Sequence, residues 1–156
     1  DAVSAIAGLC DEQSDEAQAA MLLEAAGGDF ADASYEEDDF VVTQESGLNV
    51  LQVTALLQRL FAMRLEGRTP QAISMRFHAA FSAGMAKLAA ECFPAGATVC
   101  LSGGTFLNRF VAADLSRRLR QMGYRTYLPS LLPPGDGAIS FGQCAVARQR
   151  LDAATH

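Results

Sequence analysis

The chain has 156 residues, half of them hydrophobic and 19% charged, enough for one domain with a real core and too apolar for a disordered chain. Its net charge of -6 argues against a surface built for nucleic-acid backbones or anionic membranes, which need clustered Lys and Arg. A small basic pocket for a single nucleotide is compatible with that balance.

In chain order, Ala2 to Leu9 reads as a helix ending near Gly8 or Cys10. Ser14 is placed to cap a second helix from about Asp15 to Ala26. Its first turn carries Asp15 and Glu16, as the helix dipole prefers, and Gly27-Gly28 stops it. The span Asp29 to Gly47 holds an acidic run, Glu36 to Asp39, followed by Phe40-Val41-Val42-Thr43 with strand propensity. It reads as a solvated hairpin or loop, with an acidic docking patch as the alternative. Asn49 to Leu65 shows helical periodicity in Val50, Val53, Leu56, Leu57, Leu60 and Phe61. Thr69 caps the next helix with Pro70 at its first position, and this helix runs to about Cys92. Ile73, Phe77, Phe81, Met85 and Leu88 line one face of it, while Ala79, Ala80, Ala83 and Gly84 permit close helix contact.

The period then changes. Thr98 to Leu101 reads as a strand, Ser102-Gly103-Gly104 as a tight turn, and Phe106 to Met122 as a helix with Arg109, Arg117, Arg118 and Arg120 on its rear. After Gly123 come a strand from Tyr124 to Leu128, a Pro- and Gly-rich loop from Pro129 to Gly137, and a last helix from Ala138 to Leu151. Strand, glycine turn, helix, strand, loop, helix is the grammar of an α/β layer with a parallel strand pair.

No apolar run reaches the ~18 residues of a membrane helix, and Asp1-Ala2-Val3-Ser4 has neither the basic region of a signal peptide nor an initial Met. A piece of a longer cytoplasmic polypeptide is expected. Cys10, Cys92, Cys100 and Cys144 lie far apart in apolar segments with no Cys-x-x-Cys pair. Reduced, buried thiols are expected in place of a zinc knuckle.

Two loops could carry chemistry. In Ser102-Gly103-Gly104 the glycines let the backbone approach a ligand, and the following helix aims free N–H groups at the same place, which suits an anion or nucleotide edge; Asn108, one turn on, could reach back to it. A plain strand-to-helix turn reads equally well. Pro133-Pro134-Gly135-Asp136-Gly137 displays one carboxylate before a helix, either as an N-cap or as a metal or phosphate-site ligand. Both loops leave the carboxyl ends of strands, where α/β sheets bind ligands, so neighbouring strands would bring Gly103 and Asp136 to one crevice. His78 stands alone on its helix and reads as structural; the other histidine, His156, is terminal. A Ser102, His78, Asp136 triad is formally available but lacks the Gly-x-Ser-x-Gly elbow. There is no phosphate-binding Gly-x-x-x-x-Gly-Lys motif, and the sole lysine is Lys87.

Leu101-Ser102-Gly103-Gly104-Thr105-Phe106-Leu107-Asn108-Arg109 closely resembles the SGG-x-F-x-NR segment of HypF-type carbamoyltransferases. Leu132 to Gln143 resembles their PP-x-DGG-I-x-x-GQ segment, Arg76-Phe77-His78 their RFH, and Asp1-Ala2-Val3 with Glu16-Ala17-Gln18-Ala19-Ala20 their DAV…EGQAA stretch. Four motifs in order cover nearly the whole chain. The resemblance implies an α/β fold, mostly helical with a small sheet, belonging to an actin, sugar-kinase and Hsp70-like fold of two lobes. All of residues 1 to 156 would form the C-terminal part of the TsaD-like carbamoyltransferase domain. It implies that Gly103, Gly104 and Asn108 line ATP or carbamoyl-adenylate, with Asp1 and Glu16 near its ribose or base. Asp136 would bind a divalent metal, Fe or Zn, shared with two histidines that this chain lacks. The implied activity is carbamoyl transfer to the C-terminal cysteine of a HypE-like acceptor in [NiFe]-hydrogenase maturation, so the nucleophile belongs to the partner and no catalytic residue is assigned here. The isolated 156 residues are expected to bind nucleotide weakly and not to turn over. Without the other lobe they should expose an apolar face and self-associate. The family's glycine after the glutamate is Ala17 here, and its second glycine after the aspartate is Ala138. These two departures, with the acidic run, motivate a rival reading as a non-catalytic interaction domain of the same fold. An actin-like phosphotransferase and a tRNA-modifying relative are further rivals, the latter disfavoured by the acidic balance.

Overall fold

The computed structural model describes residues 1–30 and 32–154; His156 lies outside the described residues. Among the described residues six α-helices and two small sheets follow one another as α1 (Ala2–Ile6), α2 (Gln18–Gly27), β1 (Val41–Glu45), β2 (Leu48–Gln52), α3 (Thr54–Leu65), α4 (Pro70–Cys92), β3 (Thr98–Cys100), α5 (Arg109–Gln121), β4 (Arg125–Tyr127) and α6 (Ile139–Ala154). The chain is therefore mostly helical with little sheet.

The spine is α4, which packs against α1, α2, α3, α5 and both strands of the β1–β2 hairpin. Its start is as the sequence reads: Thr69 Oγ1 accepts the Ala72 N–H at 3.2 Å, with Pro70 at the first helical position. Its most buried face, however, carries the small residues: Ser74, Ala79, Ala80, Ser82, Ala83, Gly84 and Ala86, together with Ile73 and His78. Phe77, Phe81, Met85 and Leu88 are only half-buried. Small side chains let neighbouring elements approach, and the helix buries that face preferentially.

Two apolar clusters result. The first joins Val3, Ala7, Leu23, Phe40, Leu56, Leu60, Ile73, Ala80 and Ala83 beneath α1 to α4. The second joins Ala86, Val99, Leu101, Leu115, Leu119 and Tyr124 between the end of α4, α5 and the β3–β4 pair. The expected parallel pair is present, with Thr98 opposite Arg125, Val99 opposite Thr126 and Cys100 opposite Tyr127. Val99 and Thr126 face the cluster, while Thr98, Cys100, Arg125 and Tyr127 are exposed.

Several expected boundaries shift. Residues 49–52 belong to a strand, not to the helix read over Asn49 to Leu65: β2 pairs antiparallel with β1 across Ser46-Gly47, both at positive φ (51° and 81°). That is the geometry of a tight type I′ hairpin turn. Pairing along five residues overrides a local helical period, and α3 begins only at Thr54. The acidic run is not wholly solvated. Asp39 is buried at 1% exposure, held by Arg76, and its Oδ2 accepts the Glu36 N–H at 2.9 Å. Asp38 lies on the surface against Arg59 at 3.3 Å. The cysteines are free as expected, but Cys92, Cys100 and Cys144 are exposed and only Cys10 is partly covered. Residues 139–153 of α6 are exposed on every side; its contacts are chiefly with the 3₁₀ turn that precedes it.

Ser14 does not cap α2. Its N–H and hydroxyl engage Gln18 Oε1 and Asp15, and the helix starts only at Gln18. The residue before it, Ala17, has φ 59°, ψ 10°, the left-handed region, where a Cβ costs about 1–2 kcal/mol. Ala17 is thus a strained turn residue outside the helix. Ala138, which ends a short 3₁₀ turn (Asp136–Ala138), is not at positive φ and loses nothing by its Cβ. Ala17→Gly is expected to raise stability by about 0.5–1 kcal/mol, the relieved strain less the extra freedom of the unfolded chain. Thermal unfolding checks it, and a lower melting temperature would contradict the left-handed turn.

Candidate functional site

The glycine turn follows β3 and the Pro-rich loop follows β4, so the parallel pairing delivers both to the same end of the small sheet. They touch. The Pro134 carbonyl accepts the Gly103 N–H at 2.7 Å and the Ser102 hydroxyl at 3.2 Å. A Cβ on Gly135 would lie 3.7 Å from the Gly104 Cα, ordinary contact distance. Gly103 and the Asp136 loop are therefore in contact at one end of the small sheet.

The conformation of the turn explains its glycines. Gly103 has φ 107°, ψ 164°, a region essentially closed to residues with a Cβ. A Cβ on Gly104 would meet nothing within 4 Å, so folding alone does not demand a glycine there. Gly104 and Thr105 are exposed, and their amides find no acceptor among the described residues. They begin a 3₁₀ turn, Gly104–Leu107, that separates the glycines from α5.

Asn108 is consequently not one turn inside α5; it is that helix's N-cap. Its Oδ1 accepts the Val111 N–H at 2.9 Å, and Glu24 Oε1 accepts the Arg109 N–H at 2.9 Å. These two donors at the start of α5 are thus satisfied within the fold and are not aimed at the crevice. The other side of Asn108 meets His78: Asn108 Nδ2 lies 2.9 Å from His78 Nε2.

His78 is 1% exposed. Its Nδ1 lies 2.8 Å from the Ser74 carbonyl, and the Ser74 hydroxyl donates to the Leu23 carbonyl. Phe30, Phe77 and Phe110 surround the ring edge-on. Burial pushes the imidazole pKa below its ordinary value, opposed in part by the Ser74 carbonyl and the charge of Glu24. His78 is enclosed in the core, and Ser102 and Asp136 are not among its hydrogen-bond partners. Sequence reasoning missed Glu24, Ser74 and the Pro134 carbonyl. Only Ser74 left a trace, at four residues from His78 on one helix face.

Asp136 is exposed at the head of its turn. Among the described residues no group of three His, Cys, Asp or Glu side chains is placed to hold a metal, so the described residues offer Asp136 alone and do not by themselves fit a divalent-metal site. Asp1 and Glu16 are exposed, before α1 and in the turn before α2. Neither side chain bonds to the glycine turn. A cleft of about 470 Å³ lined by Tyr35, Phe40, Lys87 and Arg118 lies apart from both loops. Arg118 is already committed there, over the Tyr35 ring at 4.9 Å and paired to Asp114 at 2.7 Å. No helix among the described residues is long and apolar enough to cross a membrane.

The model of the family described as "Carbamoyltransferase, Kae1-like Domain, second subdomain" matches residues 1–143. A "Carbamoyltransferase HypF homolog" of Cupriavidus necator is 33% identical over 161 residues, covering 99% of this chain and 40% of that protein. A "Carbamoyltransferase HypF" of Rhizobium leguminosarum bv. viciae is 47% identical over 75 residues, covering 47% of this chain and 10% of that protein. Among solved structures, full-length HypF in its phosphate- and nucleotide-bound form superposes with a TM-score of 0.79 at 30% identity over 96% of this chain and 19% of that one. HypF of T. kodakarensis superposes with a TM-score of 0.71 at 23% identity, covering 97% of this chain and 20% of that one, and so attests the fold. The chain spans well under half the length of the relatives it matches.

Proposed function

The chain belongs to the HypF-type carbamoyltransferase family as its Kae1-like second subdomain, and from that premise we propose that it supplies the nucleotide-binding half of a site for carbamoyl transfer. The donor is carbamoyl-adenylate, made with ATP, and the acceptor is the C-terminal cysteine of a HypE-like protein in [NiFe]-hydrogenase maturation, on the route to the cyanide ligand. In the step, the acceptor thiolate attacks the carbamoyl carbon, a C–S bond forms, the C–O bond to the phosphate breaks, and AMP leaves with the electron pair. The other lobe of an actin-like fold, from elsewhere in the longer polypeptide, closes the site. The 156 residues alone then bind weakly and do not turn over.

The single observation that carries this reading is the junction of the two loops through the Pro134 carbonyl. It holds an open glycine backbone beside a displayed carboxylate. The amides of Gly104 and Thr105, without an acceptor among the described residues, suit phosphate or ribose oxygens, and the space over Gly104 admits the ligand that a side chain would displace. Asn108 borders the same turn. Asp1 and Glu16 are the more distant candidates for the ribose or base. Asp136 is one ligand of a Fe or Zn site completed by histidines from outside this chain, and no step is assigned to that metal. The exposed α6, with Ile139, Phe141, Val146 and Leu151 more than half exposed, is where the missing parts of the enzyme or a second copy would pack.

Calorimetric titration of the full-length polypeptide with ATP, or with a non-hydrolysable carbamoyl-adenylate analogue, tests this. Gly104→Val is expected to weaken binding at least ~10-fold, about 1.4 kcal/mol, without loss of folding, because the added side chain enters open space. Unchanged affinity would remove the nucleotide from the glycine turn.

A further inference from the structure

We infer that His78 is a positioning residue for the glycine turn: through Asn108 it sets how the Gly104–Leu107 segment meets α5, without touching the ligand. The inference rests on the nucleotide-binding reading above.

Three facts lead to it. The Nδ1 of His78 faces the Ser74 carbonyl at 2.8 Å, and a carbonyl can only accept, so the ring proton sits on Nδ1. That leaves Nε2 as a bare acceptor, 2.9 Å from the Asn108 side-chain nitrogen. Asn108 therefore donates from Nδ2, and its oxygen is directed to the Val111 N–H at 2.9 Å. The histidine acceptor and the Val111 N–H donor thus require the same orientation of the amide, and together they hold it at both ends.

Asn108 is also where several constraints meet. Its backbone N–H donates to the Thr105 carbonyl at 3.2 Å, and its carbonyl accepts the Ala112 N–H at 3.0 Å. One residue joins the 3₁₀ turn to α5, and the hydrogen bond to His78 joins both to α4. Ser74 carries the tie on to the Leu23 carbonyl of α2, one residue before Glu24, which binds the Arg109 N–H from the other side. The Phe30, Phe77 and Phe110 rings allow the imidazole little room to turn. If the acceptor at Nε2 is lost, Asn108 keeps its bonds to Val111, Thr105 and Ala112 but loses its tie to α4, and the turn is held less firmly against that helix. A preorganised binding loop then has to be ordered by its ligand, which weakens affinity.

The test uses the full-length polypeptide with ATP as the probe, comparing the natural protein with Gly104→Val, Asn108→Ala, His78→Leu and His78→Gln. Gln is chosen because its Oε1 can accept where Nε2 did. We expect His78→Leu to weaken ATP by about tenfold, as much as Asn108→Ala, with the double variant no worse than either single one. His78→Gln should return affinity to within about threefold although its melting temperature falls like that of His78→Leu. A purely structural histidine predicts the opposite: affinity tracking melting temperature and no rescue by Gln, which would overturn the inference. If Gly104→Val abolishes binding while His78→Leu leaves it intact, the inference falls and the nucleotide reading stands. If the natural protein does not bind ATP, both fall. Nitrogen-15 NMR gives an independent check, since a neutral His78 with its proton on Nε2 is incompatible with the arrangement.

Discussion

Replacing Arg76 with Leu is expected to lower stability by about 3–5 kcal/mol, the cost of stranding a buried charge. The Asp39 side chain is fully buried and that of Arg76 is 14% exposed. Arg76 Nε lies 2.7 Å from Asp39 Oδ2, and its terminal nitrogen donates to Oδ1 at 2.8 Å. Burial works to lower the guanidinium pKa, but the hydrogen bond and charge of Asp39, helped by Glu36, outweigh it and raise the value. The pair joins the segment before β1 to the second turn of α4, so its loss also frees the hairpin's approach. Against a typical total of ~5–15 kcal/mol, the variant should be close to unfolding at body temperature. Denaturant titration measures the loss. Adding Asp39→Asn to Arg76→Leu should recover a large part of it, because a neutral amide tolerates burial better than an orphaned carboxylate. A cost below ~1 kcal/mol, the range of surface pairs, would mean that Asp39 reaches water.

Ile73→Ala is expected to cost about 3–4 kcal/mol, within the range for emptying a closed core site. Ile73 is 0% exposed and belongs to the cluster with Leu56, Leu60 and Leu23. Phe81→Ala, on the stripe that the sequence marks equally strongly, should cost about half as much or less. Phe81 is half-buried, its stacking on Phe77 at 5.7 Å notwithstanding, and truncation there opens no enclosed void. Paired denaturation curves decide between them. Equal costs would show that the Phe77–Phe81 face is covered in solution.

The contrast between Ile73 and Phe81 marks how far sequence patterns reach. Residue size identified α4 and its apolar stripe, but which face lies innermost depends on what the rest of the fold brings, and here Ser74, Ala79 and Ala83 admit the closest neighbours. The Thr69-Pro70 start and the parallel strands were legible because caps and short apolar runs are local signals. The strand at Leu48–Gln52 was hidden because Val50, Val53, Leu56 and Leu57 also fit a helical repeat, and only pairing across Ser46-Gly47 decides. At the crevice, the meeting of the two loops followed from topology, and the motifs named the residues. The link between His78 and Asn108 spans 30 positions and has no sequence period to betray it. Burial of Asp39 beside three acidic neighbours likewise needed its distant Arg76 to become visible.

The exposed last helix has a thermodynamic consequence. At 16 residues, α6 is near the length at which a free helix is only marginally formed in water, and none of its residues 139–153 is buried to add to that. It begins one residue past Ala138, at the end of a loop whose other side is fastened to Gly103 by a single carbonyl. Order in the helix and order in the loop are thus drawn from a common local reserve of free energy. A surface that covers α6 stiffens the loop, and a ligand that stiffens the loop favours the covered helix. Linkage makes the two effects equal in size.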